Sequence, residues 1–292
     1  MDDGRRGIMN LTTLKDTPSW EWPEETAATL LDILRGDRSS ASDLLLAAEL
    51  AGDVTVISTE LVDALLSILR RGDKPEAVRG QAAISLGPVL ELADTEGFED
   101  ADDLPITERT FEEIQEWLHE LYMDANVPRN VRRRILEASV RAPRDWHRDA
   151  IRAAYGSGDE TWRLTAVFCM RFIPGFEEQI LEALASPNPD LHYEAVVAAG
   201  NWGLDAAWPH VAALVASRTT PKPLLLASID AVASIRPHDA LELLGDLADS
   251  DDEDIADAAH EALAMAQGHS VDDEGHALRD DELDDDDDPR SR

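Results

Sequence analysis

Cysteine and lysine are nearly missing from this sequence. Its 292 residues hold one cysteine, Cys169, and three lysines, Lys15, Lys74 and Lys222, among 26 Lys and Arg side chains. A single thiol excludes an internal disulfide and any multi-cysteine metal site. The setting of that thiol, "TAVFCMRF", is an apolar helical stretch, which predicts a buried, inert group rather than a nucleophile. No apolar run reaches the roughly 18 residues that suggest a membrane-spanning helix. The opening "MDDGRRGIMNLTT" has no apolar segment of the secretory kind, so a cytoplasmic protein is expected. Strand signals are scarce as well, "GDVTVIST" being the one β-branched run. There is no phosphate-binding glycine loop, no dinucleotide-binding glycine motif and no Gly-x-Ser-x-Gly elbow. No cofactor and no catalytic residue is expected on these grounds.

What is abundant is acid. Asp and Glu number 61 and the net charge is −35. Binding to a phosphate backbone needs clustered cations that displace counterions, so a general nucleic-acid binder is disfavoured. An anionic membrane surface is disfavoured for the same reason. Acid excess with scarce lysine fits a protein kept soluble at high salt, and an arginine-favouring genome would give the same composition. A purely structural protein of the high-salt kind would unfold at low ionic strength, where acid repulsion is unscreened.

The second abundant feature is repetition. Short polar joints, "RGDRSS", "RGDKPE", "DANVPRN", "GSGDET", "SPNPDL", "SRTTPKP" and "SDDEDI", each follow one apolar stretch and open another. After six of them the first apolar residues are Val78, Val131, Trp162, Leu191, Leu224 and Ile255, at successive gaps of 53, 31, 29, 33 and 31 residues. The long first gap contains an acidic insert at 95–107. Four and eight residues further on stand Ala82/Leu86, Ile135/Ser139, Ala166/Met170, Ala195/Ala199, Ser228/Val232 and Ala259/Leu263. These offsets fall on one stripe of an α-helix. The middle position is small in five of the six copies, which lets a neighbouring helix approach closely. Each joint is preceded by another amphipathic helix, such as "TELVDALLSIL" or "FEEQILEALA". Capping-box spacing is present at Thr110/Glu113, Ser157/Glu160 and Ser250/Glu253. Pro75, Pro209 and Pro223 are expected in first turns, and Pro88 is expected to end or kink its helix.

The expected fold is therefore all-α, an α-solenoid of about seven antiparallel helix pairs over 24–268 that shares one continuous core. An N-terminal extension, 1–23, is expected to be partly ordered, with Trp20 and Trp22 covering the open end of the stack. The segment 269–292, very acidic from 271 on, is expected to be disordered.

"GDKPEAVRGQAAISLG" and "SPNPDLHYEAVVAAGNWG", with "SDDEDIADAAHEALAMA" and "SGDETWRLTAVFCMRF" more loosely, resemble the HEAT-repeat family. The likeness is to the bacterial class of short repeats that includes phycobilin lyases. Asp73, Val78, Arg79, Ala82, Leu86 and Gly87 match the family pattern throughout. Arg132 and Arg163 keep its ladder arginine, which His192, Leu225 and Ala256 replace. The resemblance implies an α-solenoid and is weak for function, since the family holds scaffolds, adaptors and a few enzymes. Its di-iron hydroxylases carry His–Glu pairs just after the arginine position. Here Tyr193 stands where the ligand histidine would be, with Glu194 after it, and the last repeat has Asp257 and Ala258. His260–Glu261 falls one turn later and His119–Glu120 lies on a first helix, so no metal site is expected. His192 is expected to cap or pair.

Charge is uneven. Between residues 129 and 171 ten arginines face five acids, a positive island in an acidic chain. One expectation is that these arginines bridge helices, Arg132 and Arg163 pairing with acids of adjacent repeats. The other is a docking patch for an acidic protein partner, with Arg129, Arg133, Arg148 and Arg152 as its candidates. The acidic tail could itself compete there. Phe98, in the insert, is expected to tuck against its own repeat, and Trp117, Trp146, Trp162, Trp202 and Trp208 to serve the core. The functional expectation is a monomeric, non-enzymatic scaffold or adaptor. The alternative is a metal- or pigment-associated enzyme of the hydroxylase or lyase kind.

Overall fold

Each amphipathic stretch forms its own helix, and the polar joints between them are turns. The computed structural model describes residues 11–36, 39–99 and 104–280, with side chains as far as Gln267. Among the described residues every regular element is a helix. The β-branched run at 52–59 is built of turns instead of strand. Its Asp53 carboxylate accepts the Thr55 backbone N–H at 2.9 Å and the Thr55 hydroxyl at 2.7 Å, a local pairing that competes with any ladder.

The chain folds as two compact units, Met1–Ile173 and Pro174–Arg292. The first contains α1 (Leu11–Lys15), α2 (Thr26–Arg35), α3 (Ala41–Ala51), α4 (Thr59–Arg70), α5 (Glu76–Ile84), α6 (Gly87–Glu96), α7 (Glu108–Met123), α8 (Arg129–Ser139), α9 (Asp145–Tyr155) and α10 (Glu160–Met170). Four hairpins, α2/α3, α4/α5, α7/α8 and α9/α10, are joined so that the second helices α3, α5, α8 and α10 pack on one another in chain order. The first helices α2, α4 and α7 form the layer behind them. The second unit contains α11 (Glu177–Leu184), α12 (Pro189–Asn201), α13 (Trp208–Ala216), α14 (Lys222–Ile235), α15 (Pro237–Leu244) and α16 (Glu253–Asp280). Its hairpins α11/α12, α13/α14 and α15/α16 stack through the second helices α12, α14 and α16. Four pairs and three pairs make the number that the periodicity predicts.

The small-residue stripe lies where the pattern places it. Ala82, Ala166, Ala195, Ser228 and Ala259 are all inaccessible to solvent, as is Ile135 at the same position of α8. Their outer partners Val78, Val131, Trp162 and Leu191 are buried too, whereas Leu224 and Ile255 of the last two repeats are half-buried. Close approach continues at the helix ends. A side-chain carbon on Gly52, after α3, would lie 2.7 Å from the backbone of Ser85, and one on Gly87 2.8 Å from Cδ of Arg141. Cys169 is fully buried, as expected for an inert thiol.

The caps sit a few residues from their expected places. Thr107, not Thr110, caps α7 by accepting the Thr110 N–H at 3.2 Å. Asp159, not Ser157, caps α10 by accepting from Thr161 and Trp162. Both caps have extended backbone, which aims the side-chain oxygen at the open N–H groups of the first turn. Ser250 donates no such cap to α16; its hydroxyl accepts the Asp252 N–H at 3.2 Å. Pro209 and Pro223 occupy first turns, Pro75 is the residue before α5, and Pro88 lies in the first turn of a separate helix, α6.

At the N-terminus the two tryptophans part company. The Trp22 indole donates to the carbonyls of Leu14 (3.0 Å) and Thr17 (2.9 Å) and packs on the core, whereas Trp20 is 80% exposed and covers nothing. One indole ring suffices because α1 supplies Leu11 and Leu14 to the same end. Phe98 packs on Phe111 at 5.5 Å, against its own repeat, while residues 100–103 of the insert lie outside the described residues. So do residues 1–10 and 281–292. The backbone of 269–280 continues α16, a stretch without the proline that would stop a helix.

Candidate interaction surface

The arginine-rich segment spans α8, α9 and α10 of the first unit, and most of its charge is spent on internal contacts. Arg141 pairs with Glu91 of α6 and lies 5.6 Å from the ring centre of Phe168. Arg171 lies over the same ring at 4.6 Å, so Phe168 and Phe172 each have two guanidinium groups nearby. Arg144 donates to Gln115 Oε1 on α7 at 3.0 Å.

Two of the ladder arginines, Arg79 and Arg163, make a bond within their own hairpin. Arg79, 5% exposed, donates from Nε to the Leu69 carbonyl at 2.8 Å, within its own hairpin. That carbonyl is one of the unpaired acceptors at the C-terminus of α4, where the helix dipole favours a cation. Arg163 likewise reaches the first helix of its own pair, donating to the Tyr155 hydroxyl at 2.9 Å at the end of α9. The reason is geometric: a residue near the start of a second helix lies beside the end of the helix just before it.

The four docking candidates are distributed over both layers. Arg129 and Arg133 stand on the second helix α8, and Arg148 and Arg152 on the first helix α9. Arg133 is a brace. Its side chain is 13% exposed, meets Glu137 at 3.3 Å and donates to Thr165 of α10 at 2.8 Å, and burial lowers its pKa. Arg129, 55% exposed, sits 3.6 Å from Asp159 and 5.4 Å from the Trp162 ring centre. Arg152, 58% exposed, meets Asp149 at 3.2 Å, and Arg148 is half-buried.

One accessible arginine escapes the sequence reading. Arg134 is 42% exposed and bonded to Glu137 at 2.8 Å, on the outer face of α8. It lines a groove of about 360 Å³ between α5 and α8 with Leu45, Glu76, Gln81 and Asn130. Gly80 makes the groove: a side-chain carbon there would lie 3.2 Å from Cγ of Arg134. A glycine inside a helix, where it costs roughly 1 kcal/mol against alanine, was the signal that could have found it.

The histidines form local pairs. Buried His147 meets the Arg144 backbone at Nδ1, 2.9 Å from its N and 3.1 Å from its O, and Ser139 Oγ at Nε2 (2.9 Å), the donor to Ser139 following from the ring tautomer. Burial pushes the His147 pKa down to about 4. In the second unit His192 and His210 face each other at 2.8 Å between their Nε2 atoms, so His192 pairs, as expected. Burial lowers the pKa of both, and the neighbouring His210 lowers that of His192 further. Among the described residues no group of three or more His, Cys, Asp or Glu is placed to hold a metal. No described helix is long and apolar enough to cross a membrane.

No protein-family model and no curated protein matches the sequence. Solved structures similar to it include human deoxyhypusine hydroxylase in complex with glycerol, at 18% identity over 88% of each chain and a TM-score of 0.39. An engineered protein is 16% identical over 82% of this chain and 78% of its own, with a TM-score of 0.41. Kap121p is 10% identical over 88% of this chain and 31% of its own, with a TM-score of 0.42. The likeness is to HEAT-repeat-like proteins and concerns the helical arrangement; it assigns no residue here a role.

Proposed function

We propose that this protein is a non-enzymatic scaffold that binds an acidic segment of a protein partner along the second helices of its first unit. The observation that carries the reading is the groove between α5 and α8, where exposed Arg134 stands beside Asn130 and Gln81. Arg129 lies on the same helix as Arg134 and remains more than half exposed. Guanidinium groups on a helix held from both sides are fixed in position, which suits bidentate contact with carboxylates. The carboxylates that now hold them, Glu137 and Asp159, are partly exposed, so a partner's acids can replace them at small cost. Arg133 also lines the groove, held by Thr165 of α10, and Arg148 and Arg152 belong to the other layer.

Parallel affinity purification from the source organism with wild type and Arg129→Glu/Arg134→Glu tests this. A partner captured by wild type and lost by the variant is expected, with the loss greater at low salt. A partner held equally by both removes the arginine surface from the reading. Stoichiometric iron or a visible chromophore in the purified protein would replace the scaffold by the enzyme alternative.

A further inference from the structure

The second unit carries a larger groove with the opposite character. It lies between the first helices α13 and α15, closed at one end by the starts of α14 and α16, and has a volume of about 970 Å³. Its apolar lining comes from Trp208, Val215, Leu225, Leu243, Leu247 and Ile255. Its rim holds four acids, Asp239, Glu242, Asp246 and Asp252, and two cations, Lys222 and the exposed Arg218 at the end of α13. The internal cations answer two of them. Lys222 lies 2.6 and 2.9 Å from the Asp252 oxygens, and Arg236 lies 3.5 Å from Asp239. Glu242 and Asp246, both exposed on the α15 side, form no ion pair among the described residues.

We infer that this groove receives a basic amphipathic helix of a partner protein, its apolar stripe on Leu243, Leu247 and Val215 and its cations beside Glu242 and Asp246. Charge complementarity selects the occupant. The two unpaired carboxylates outnumber the one cation, Arg218, that lines the groove outside the ion pairs, and in a chain of net charge −35 they add to a field that draws cations from a distance and disfavours an acidic segment. The groove has helix-in-groove form, two helices offering a hydrophobic trough. α15 has eight residues, about 12 Å, so it matches roughly two turns of the bound helix.

The probe is a fluorescein-labelled 14-residue Leu/Lys peptide with leucines at helical spacing, titrated into the full chain at low salt and followed by anisotropy. A peptide of identical composition with leucine and lysine in strict alternation controls for bulk attraction to the acidic chain. Binding at least tenfold tighter for the helical peptide is expected. Glu242→Lys/Asp246→Lys should weaken it tenfold or more, while Asp16→Lys/Asp63→Lys, an equal charge change in the first unit, should shift it less than twofold. Ala212→Trp, which fills the groove without altering charge, should weaken it as well. Circular dichroism confirms that each variant keeps its helix content. Equal affinity for the two peptides, or wild-type affinity in either groove variant, overturns the inference.

Discussion

Gly200 of α12 and Ala231 of α14 meet backbone against backbone: a side-chain carbon on Gly200 would lie 2.8 Å from Cα of Ala231. Two helices that approach this closely are locked in register, and the contact has no flexible side chain that could swing aside.

Gly200→Ala is therefore expected to destabilise the protein, although alanine favours helix over glycine by roughly 1 kcal/mol. Overpacking against backbone costs about 1–3 kcal/mol and should win by about 1 kcal/mol, more for Gly200→Val. Urea unfolding followed by circular dichroism checks this; a raised midpoint for Gly200→Ala would show that the helices can separate freely.

Arg79 should matter through its bond to the Leu69 carbonyl rather than through surface charge. Arg79→Met is expected to cost about 1.5–3 kcal/mol, the worth of a hydrogen bond to a charged group. Arg109→Met, at a residue whose side chain is 86% exposed, should stay within about 0.5 kcal/mol of wild type. Equal midpoints for the two variants would refute the capping role.

His147 makes stability depend on pH. Its folded pKa, about 4, lies below the ordinary histidine value near 6.5, so the unfolded chain binds the extra proton first. The contribution is complete above pH 6.5 and is lost as pH falls toward 4, amounting to about 3 kcal/mol across that window. Protonating carboxylates relieves acid repulsion in the same range, so the measurement is the difference between wild type and His147→Gln. That difference should shrink as pH falls from 7 to 4; a constant difference would contradict it.

Cys169 should react with a thiol reagent only when its helix opens. In the native protein labelling is expected to be slow, with a rate that follows unfolding as urea is raised. Fast labelling without denaturant would place the thiol at the surface.

The helix pairs were legible because their signal is local. Apolar residues at offsets of four along Val78, Ala82 and Leu86 report a helical face whatever surrounds them. Arginine destinations were not legible. Arg133 and Arg134 are adjacent and chemically identical and both line the groove, yet Arg133 is 13% exposed and reaches Thr165 of α10 whereas Arg134 is 42% exposed, because consecutive residues of a helix point about 100° apart. The caps of α7 and α10 were misplaced for a related reason: several Thr, Ser and Asp residues precede each helix, and backbone conformation chooses among them. Trp20 and Trp22 show the same limit, since only the path of α1 decides which indole finds carbonyls.

By itself the sequence determined an all-helical chain of seven hairpins with a small-residue seam, since helix periodicity and side-chain size are properties of residues a few positions apart. The tertiary structure alone decided the division at Ile173, the pairing of His192 with His210, and which charges stay free to meet a partner. Each of these depends on groups brought together from different helices, and a long side chain's partner is fixed only when the neighbouring helix is in place.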